Sequence, residues 1–125
     1  MTSTATASFV LDKWEPQATD ETGGTEFARV AIGKTFTGAV EGTSTVEMLT
    51  ASNATSRAYV AFERLEVSVD GRKGGFVLHH SADDAGLALK ILTGSGFGEL
   101  AGIAGTASIE IDEEKNHLFT LTYTL

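Results

Sequence analysis

The sequence predicts an all-β fold, an eight-stranded antiparallel up-and-down β-barrel, and three observations predict it. Val, Ile, Thr and aromatic residues recur in short runs with a period of two, the pattern of strands with one face buried. Clusters of Gly, Asp and Asn separate the runs and mark turns. A single proline, Pro16, leaves nearly the whole chain free to pair. Successive strands with hairpin-length connections close into a barrel because closure removes the exposed edges.

The elements follow in order. The first strand spans Thr4 to Asp12, with Ala5, Ala7, Phe9 and Leu11 on one face. The polar stretch from Glu15 to Thr25 reads as a long surface loop. Strands follow at Glu26 to Thr37, Thr43 to Thr50, Ser56 to Val69 and Arg72 to Ser81. The sixth runs from Gly86 to Thr93; Ser81-Ala82-Asp83-Asp84 before it resembles a helix capping box, but Gly86 disfavours a helix there. The seventh spans Thr106 to Asp112. The eighth, Leu118 to Leu125, alternates most cleanly, with Phe119, Leu121, Tyr123 and Leu125 against Thr120, Thr122 and Thr124.

At 125 residues the chain is sized for one domain over residues 1–125, and 42% hydrophobic against 21% charged residues is a globular balance. The absence of Cys removes disulfides, thiolate zinc sites and cysteine nucleophiles, and fits a reducing compartment. A net charge of −8 repels polyanions, so neither nucleic acid nor an anionic membrane surface is an expected partner. Residues 1–7 lack the basic and apolar regions of a signal peptide, and the expected location is cytoplasmic.

Several motifs are weaker than they look. Ala28 to Thr35 matches a relaxed phosphate-loop pattern, but it alternates as a strand, whereas that chemistry needs a loop of backbone amides opening a helix. Gly96 to Ala101 matches a dinucleotide fingerprint without the βαβ unit it requires, so its glycines read as turn formers. His79 and His80 are adjacent on a strand, face opposite sides and cannot share a metal; no metal site and no cofactor are expected. Asn53-Ala54-Thr55 reads as a turn.

The constellation with chemical content is Glu63 with His80. Asp70-Gly71 is a strong type I′ hairpin signal. With that two-residue turn, Val69 pairs with Arg72, Leu78 lies opposite Glu63 and His80 opposite Ala61, so Glu63 and His80 become diagonal neighbours on one face. That face also carries Tyr59, Leu65, Phe76 and Leu78, while Arg64, Glu66 and Ser68 occupy the other, so the first points inward. A carboxylate and an imidazole in an apolar interior perturb each other's pKa and can act as acid and base; the alternative is a self-satisfied structural pair.

A set of positions also resembles a known family: Lys34-Thr35-Phe36-Thr37-Gly38 with Gly42, then Glu63, Gly71-Arg72, Gly75-Phe76 and His80, then Gly94-Ser95-Gly96, Gly98-Glu99-Leu100-Ala101-Gly102, Gly105 and Tyr123. Over nearly its whole length the chain resembles a bacterial domain-of-unknown-function family with the allene oxide cyclase-like barrel fold. Thr93 and Phe97 depart from that pattern, where Pro and Thr are expected. The resemblance implies the barrel and, through relatives that guide cyclisation of apolar molecules, a homo-oligomer.

Two functional readings follow. In the first, the barrel binds a small, mostly apolar molecule and catalyses a cofactor-free isomerisation or cyclisation, with Glu63 and His80 as acid and base and Tyr59, Phe76, Leu78 and Leu65 around the ligand. In the second, it is a noncatalytic small-molecule-binding or protein-interaction barrel whose polar interior is structural. An open cavity beside Glu63 and His80 favours the first, and an interior filled by Phe76, Leu65 and their neighbours the second.

Overall fold

A computed structural model describes residues 2–125. The strands are β1 (Ser3–Thr22), β2 (Thr25–Gly38), β3 (Val40–Ser52), β4 (Arg57–Val69), β5 (Arg72–Asp83), β6 (Gly86–Ile91), β7 (Phe97–Gly98), β8 (Ala104–Ile111) and β9 (His117–Thr124). All pair antiparallel. β1 to β6 follow one another around the sheet, β8 and β9 continue it, and β9 returns to β1, closing an eight-stranded up-and-down barrel. The two-residue β7 is an addition, laid on Gly74 and Gly75 of β5. Among the described residues there is no helix, and so none long and apolar enough to cross a membrane.

Most expected strands recur within a few residues of their expected ends, but one element is different. Glu15 to Thr25 is not a surface loop. β1 continues to Thr22, turns at Gly23-Gly24 and pairs with β2 along its length. Two bulges explain why its pattern is hidden: the register shifts between Leu11 and Lys13 and again between Pro16 and Ala18, and each extra residue inverts the two-residue alternation. Asp12 is the first bulged residue; its carboxylate accepts the Thr35 hydroxyl at 2.5 Å. Pro16 fits because, among the described residues, β1 beyond Phe9 pairs with β2 alone, and its other edge there has no strand that would need the missing N–H.

The barrel has unlike ends. At the end that carries the Asp70-Gly71 turn the ring is closed. Both turn residues have positive φ, 49° and 85°, as a type I′ turn requires. The Tyr123 hydroxyl donates to Asp70 at 2.5 Å, Asp70 N–H donates to the Ala39 carbonyl, and Ala39 N–H donates to that of Thr6, linking β9 to β1 through the β4–β5 and β2–β3 turns. The glycine-rich connection after β6 then folds over this end and drives Leu100 and Ile103 into the core. Gly74 and Gly75 permit that approach: a Cβ on Gly74 would run into the Phe97 carbonyl, and one on Gly75 into the Leu65 carbonyl and the Phe97 ring.

The opposite end, with the Gly23-Gly24, Asn53 and Asp84-Ala85 turns, is open. β1 meets β9 only over Ser3–Phe9, and β6 meets β8 only at Leu89 and Lys90, so β1 to β5 extend past their neighbours. The core divides accordingly. A larger apolar cluster, including Phe9, Phe36, Leu65, Phe76, Leu78, Phe119 and Leu121, fills the closed half. A smaller one of Val30, Ile32, Val46 and Ala61, with Met48 and Tyr59 against it, lies toward the open end.

Two glycines with positive φ separate backbone demand from space. Gly105 has φ 150° and its Cβ would strike the Thr122 carbonyl, whereas Gly71 has open space around it. Gly105→Ala is expected to lower the unfolding free energy by about 2 kcal/mol or more and Gly71→Asn by less than about 1 kcal/mol, read as urea midpoints at constant slope.

Candidate functional site

Between the two apolar clusters lies a polar layer to which four adjacent strands each give one residue. On β2 the inward residues run Val30, Ile32, Lys34, Phe36, and on β3 Ser44 precedes Val46. On β4 Glu63 sits between Ala61 and Leu65, and on β5 His80 follows Leu78. The β4–β5 register is the one the Asp70-Gly71 turn predicts: Leu78 opposite Glu63 and His80 opposite Ala61. Lys34 pairs with Ser44 across β2 and β3, and Val46 with Glu63 across β3 and β4, so the layer steps diagonally around the wall.

Glu63 is the centre of the layer and has no exposed surface. Its Oε1 accepts from His80 Nε2 at 2.8 Å and from Lys34 Nζ at 3.3 Å, and its Oε2 accepts from Ser44 Oγ at 2.6 Å. The ammonium of Lys34 also lies 4.4 Å from the centre of the Phe9 ring, on the face that attracts cations. Among the described residues, no buried side-chain nitrogen or oxygen lacks a partner. Burial alone would push the Glu63 carboxyl upward. The His80 hydrogen bond, the Lys34 charge and the Ser44 hydroxyl outweigh it, holding the group below the ordinary carboxylate value and ionised.

One thread leads from this layer toward the open end. His80 Nδ1 faces the Tyr59 hydroxyl at 3.5 Å, the outer limit of a hydrogen bond. Burial first, and the Glu63 charge second, raise the Tyr59 pKa, so the phenol keeps its proton at neutral pH. Tyr59 is half-buried and forms part of the wall of a cleft of about 630 Å³ with Trp14, Val30, Met48, Arg57 and Ala82 among its lining.

The structure therefore brings Glu63, His80 and Tyr59 together and places the other named residues elsewhere. Leu65, Phe76 and Leu78 lie on the closed side of the layer, fully packed in the larger cluster and away from the cleft. Lys34, Ser44 and Trp14 are the residues that sequence reasoning missed. Lys34 had a signal, since it continues the inward series Val30, Ile32 in a strand already identified. Trp14 had none once β1 was ended at Asp12; the bulge there is what turns it inward, opposite Ile32. His79, by contrast, faces outward and stacks on Phe62 at 5.3 Å.

Comparison with known proteins agrees with this architecture. A family model described as a protein of unknown function (DUF3224) matches residues 5–123. A crystal structure of a DUF3224-family protein of unknown function from Shewanella oneidensis MR-1 is 34% identical, covers 100% of this chain and 98% of its own, and superposes with a TM-score of 0.92. No curated protein matches.

The layer makes a pH prediction. Because the folded state holds the Glu63 proton less tightly than the unfolded chain does, its contribution to stability is complete above the unfolded carboxylate value of about 4.3 and is lost as pH falls from there through the lower folded value. Urea midpoints of the wild type should drop across that window. Glu63→Gln should flatten the dependence and, by leaving buried Lys34 without its counter-charge, cost about 3–5 kcal/mol at pH 7.

Proposed function

The chain belongs to the DUF3224 family, whose description assigns no activity, and from the geometry of its barrel we propose that the open half binds a small, mostly apolar molecule. One observation carries this reading: above the polar layer the interior is not sealed, and a large aromatic side chain on the inner face stays more than half exposed. Trp14 is 55% exposed although it lies opposite buried Ile32, and Val30, Met48, Tyr59 and Ala82 border the same cleft. A cavity of this size, apolar with a few polar groups, is the usual form of a small-molecule site. In the closed half Leu65, Phe76 and Leu78 are buried in the larger apolar cluster instead.

A second reading, cofactor-free isomerisation or cyclisation, is supported by the chain Tyr59–His80–Glu63, which has the order of a proton relay. In it Glu63 is a positioning residue, because both its oxygens are taken and neither borders the cleft. Tyr59 is the member of the relay that lines the cleft, and its raised pKa suits it to orient a ligand rather than to abstract a proton. Binding is therefore the stronger reading.

Filling the cleft tests it. Ala82 lies opposite Tyr59 and Leu87, is partly exposed and belongs to neither core cluster. Native mass spectrometry of the wild type from its own host should show a reproducible small-molecule adduct. Ala82→Phe should lose it while keeping the wild-type far-ultraviolet circular dichroism. An adduct equally abundant on both proteins would place the ligand elsewhere.

A further inference from the structure

The mouth of the cleft carries a set of donors that the chain itself does not use. β3 and β4 pair Ser52 with Arg57 and Thr50 with Tyr59, and all four lie on the inward side of the wall, in the alternation that sets Met48 opposite buried Ala61. Each of the four lines the cleft. Among the described residues the ion pairs are Lys13–Glu15, Lys34–Glu63 and His80–Glu63, so Arg57 has no counter-charge. The side-chain hydrogen bonds of the neighbouring turns belong to Asn53, which bonds Thr25, Thr55 and Ser56, and to Asp83, which accepts the Ala85 N–H. Thr50 and Ser52 take part in none of them, and their hydroxyls are free to donate.

This inventory selects a head group. A guanidinium only donates, in a planar fork that matches the two oxygens of a carboxylate. The hydroxyls beside it add donors to the same oxygens. An ammonium head would meet Arg57 as a like charge, and an alcohol offers the fork one uncharged oxygen. Tyr59, whose hydroxyl can donate or accept, does not choose between head groups. The net charge of −8 opposes any anion at a distance, and Asp83 on the lining and Glu26 opposite Ser52 oppose it nearby. The head group must therefore be one that a single Arg57 balances, which a monoanion is and a phosphate monoester is not. The rest of the cleft sets the body of the ligand. Six residues of β3, about 20 Å of strand, separate Ser52 from Val46, whose level on the wall is that of Ile32 and Trp14. Val30 and Met48 lie between. Resting on the binding reading above, we propose that the ligand is an apolar monocarboxylate. Arg57, Ser52 and Thr50 hold its carboxylate at the mouth, and its hydrocarbon body lies against Met48 and Trp14.

Trp14 is the chain's single tryptophan and lines the cleft, so its fluorescence reports binding directly. The wild type is titrated at neutral pH with octanoate, 1-octanol, octylamine and octyl phosphate, which share a chain and differ in the head group, each below its micelle concentration. Octanoate is expected to bind about tenfold more tightly than 1-octanol and octyl phosphate, and octylamine more weakly than any of them. Arg57→Gln, at the exposed start of β4, should bring octanoate down to the affinity of 1-octanol or below and leave 1-octanol unchanged. In the wild type, octanoate no tighter than 1-octanol, or octyl phosphate tighter than octanoate, would overturn the carboxylate assignment while leaving the cleft a binding site. An undiminished preference for octanoate in Arg57→Gln would do the same. A Trp14 signal unmoved by all four probes would overturn the binding reading itself. The wild-type series decides the assignment even if the variant fails to fold.

Discussion

The fixed point of this barrel is a carboxylate held away from water. An isolated ionised group in such a place costs many kcal/mol, and the wall around Glu63 is built to offset that cost. Four neighbouring strands each present one polar side chain at the same level, and three of those side chains contact the fourth. The geometry tolerates little error. A one-residue slip of β2, β3 or β5 would turn Lys34, Ser44 or His80 to the outside and leave Glu63 exposed to an apolar wall. The polar layer thus specifies register in the long strands, where the hydrophobic pattern alone is weakest. β2 and β4 carry apolar residues on their outer faces too, Phe27 and Ala31 on one and Val60 and Phe62 on the other.

The layer also divides labour along the barrel axis. Below it the interior is packed solid and plugged by Leu100 and Ile103. Above it the strands run past β8 and β9, and Trp14 on the inner face is left more than half exposed. A barrel of eight strands has an interior just wide enough for side chains or for one small ligand. This one uses both options, one in each half, with Tyr59 at the boundary.

Much of this was legible in the residues. The Asp70-Gly71 turn is short and chemically unambiguous, so it transmitted an accurate pairing from Val69–Arg72 down to Ala61–His80, and with it the adjacency of Glu63 and His80. What stayed hidden was hidden for physical reasons. The bulges at Asp12 and Gln17 erase the two-residue period in β1, so a strand that lines the cleft reads as a polar loop. Ser44 is small and unremarkable on a threonine-rich strand, and its role is set by Glu63 nineteen residues away in sequence. The expectation that Leu65, Phe76 and Leu78 would surround a ligand followed from their shared face with Glu63. A shared face does not say which side of a polar layer a residue occupies, and these three lie on the filled side.

The seam of the ring has a kinetic meaning. β1 meets β9 through pairs such as Ser3–Tyr123 and Phe9–His117, the two most distant parts of the chain. The hairpins from β1 through β6 can each form from local sequence, but this seam must wait until the intervening chain is folded, and chains with such remote pairings fold slowly. Until it forms, β1 and β9 are both unpaired edges of threonine-rich and apolar sequence, open to the equivalent strands of another molecule. The interval before closure is therefore when this protein is most exposed to misassembly, and the rate at which its first and last strands find each other limits how concentrated it can be while folding.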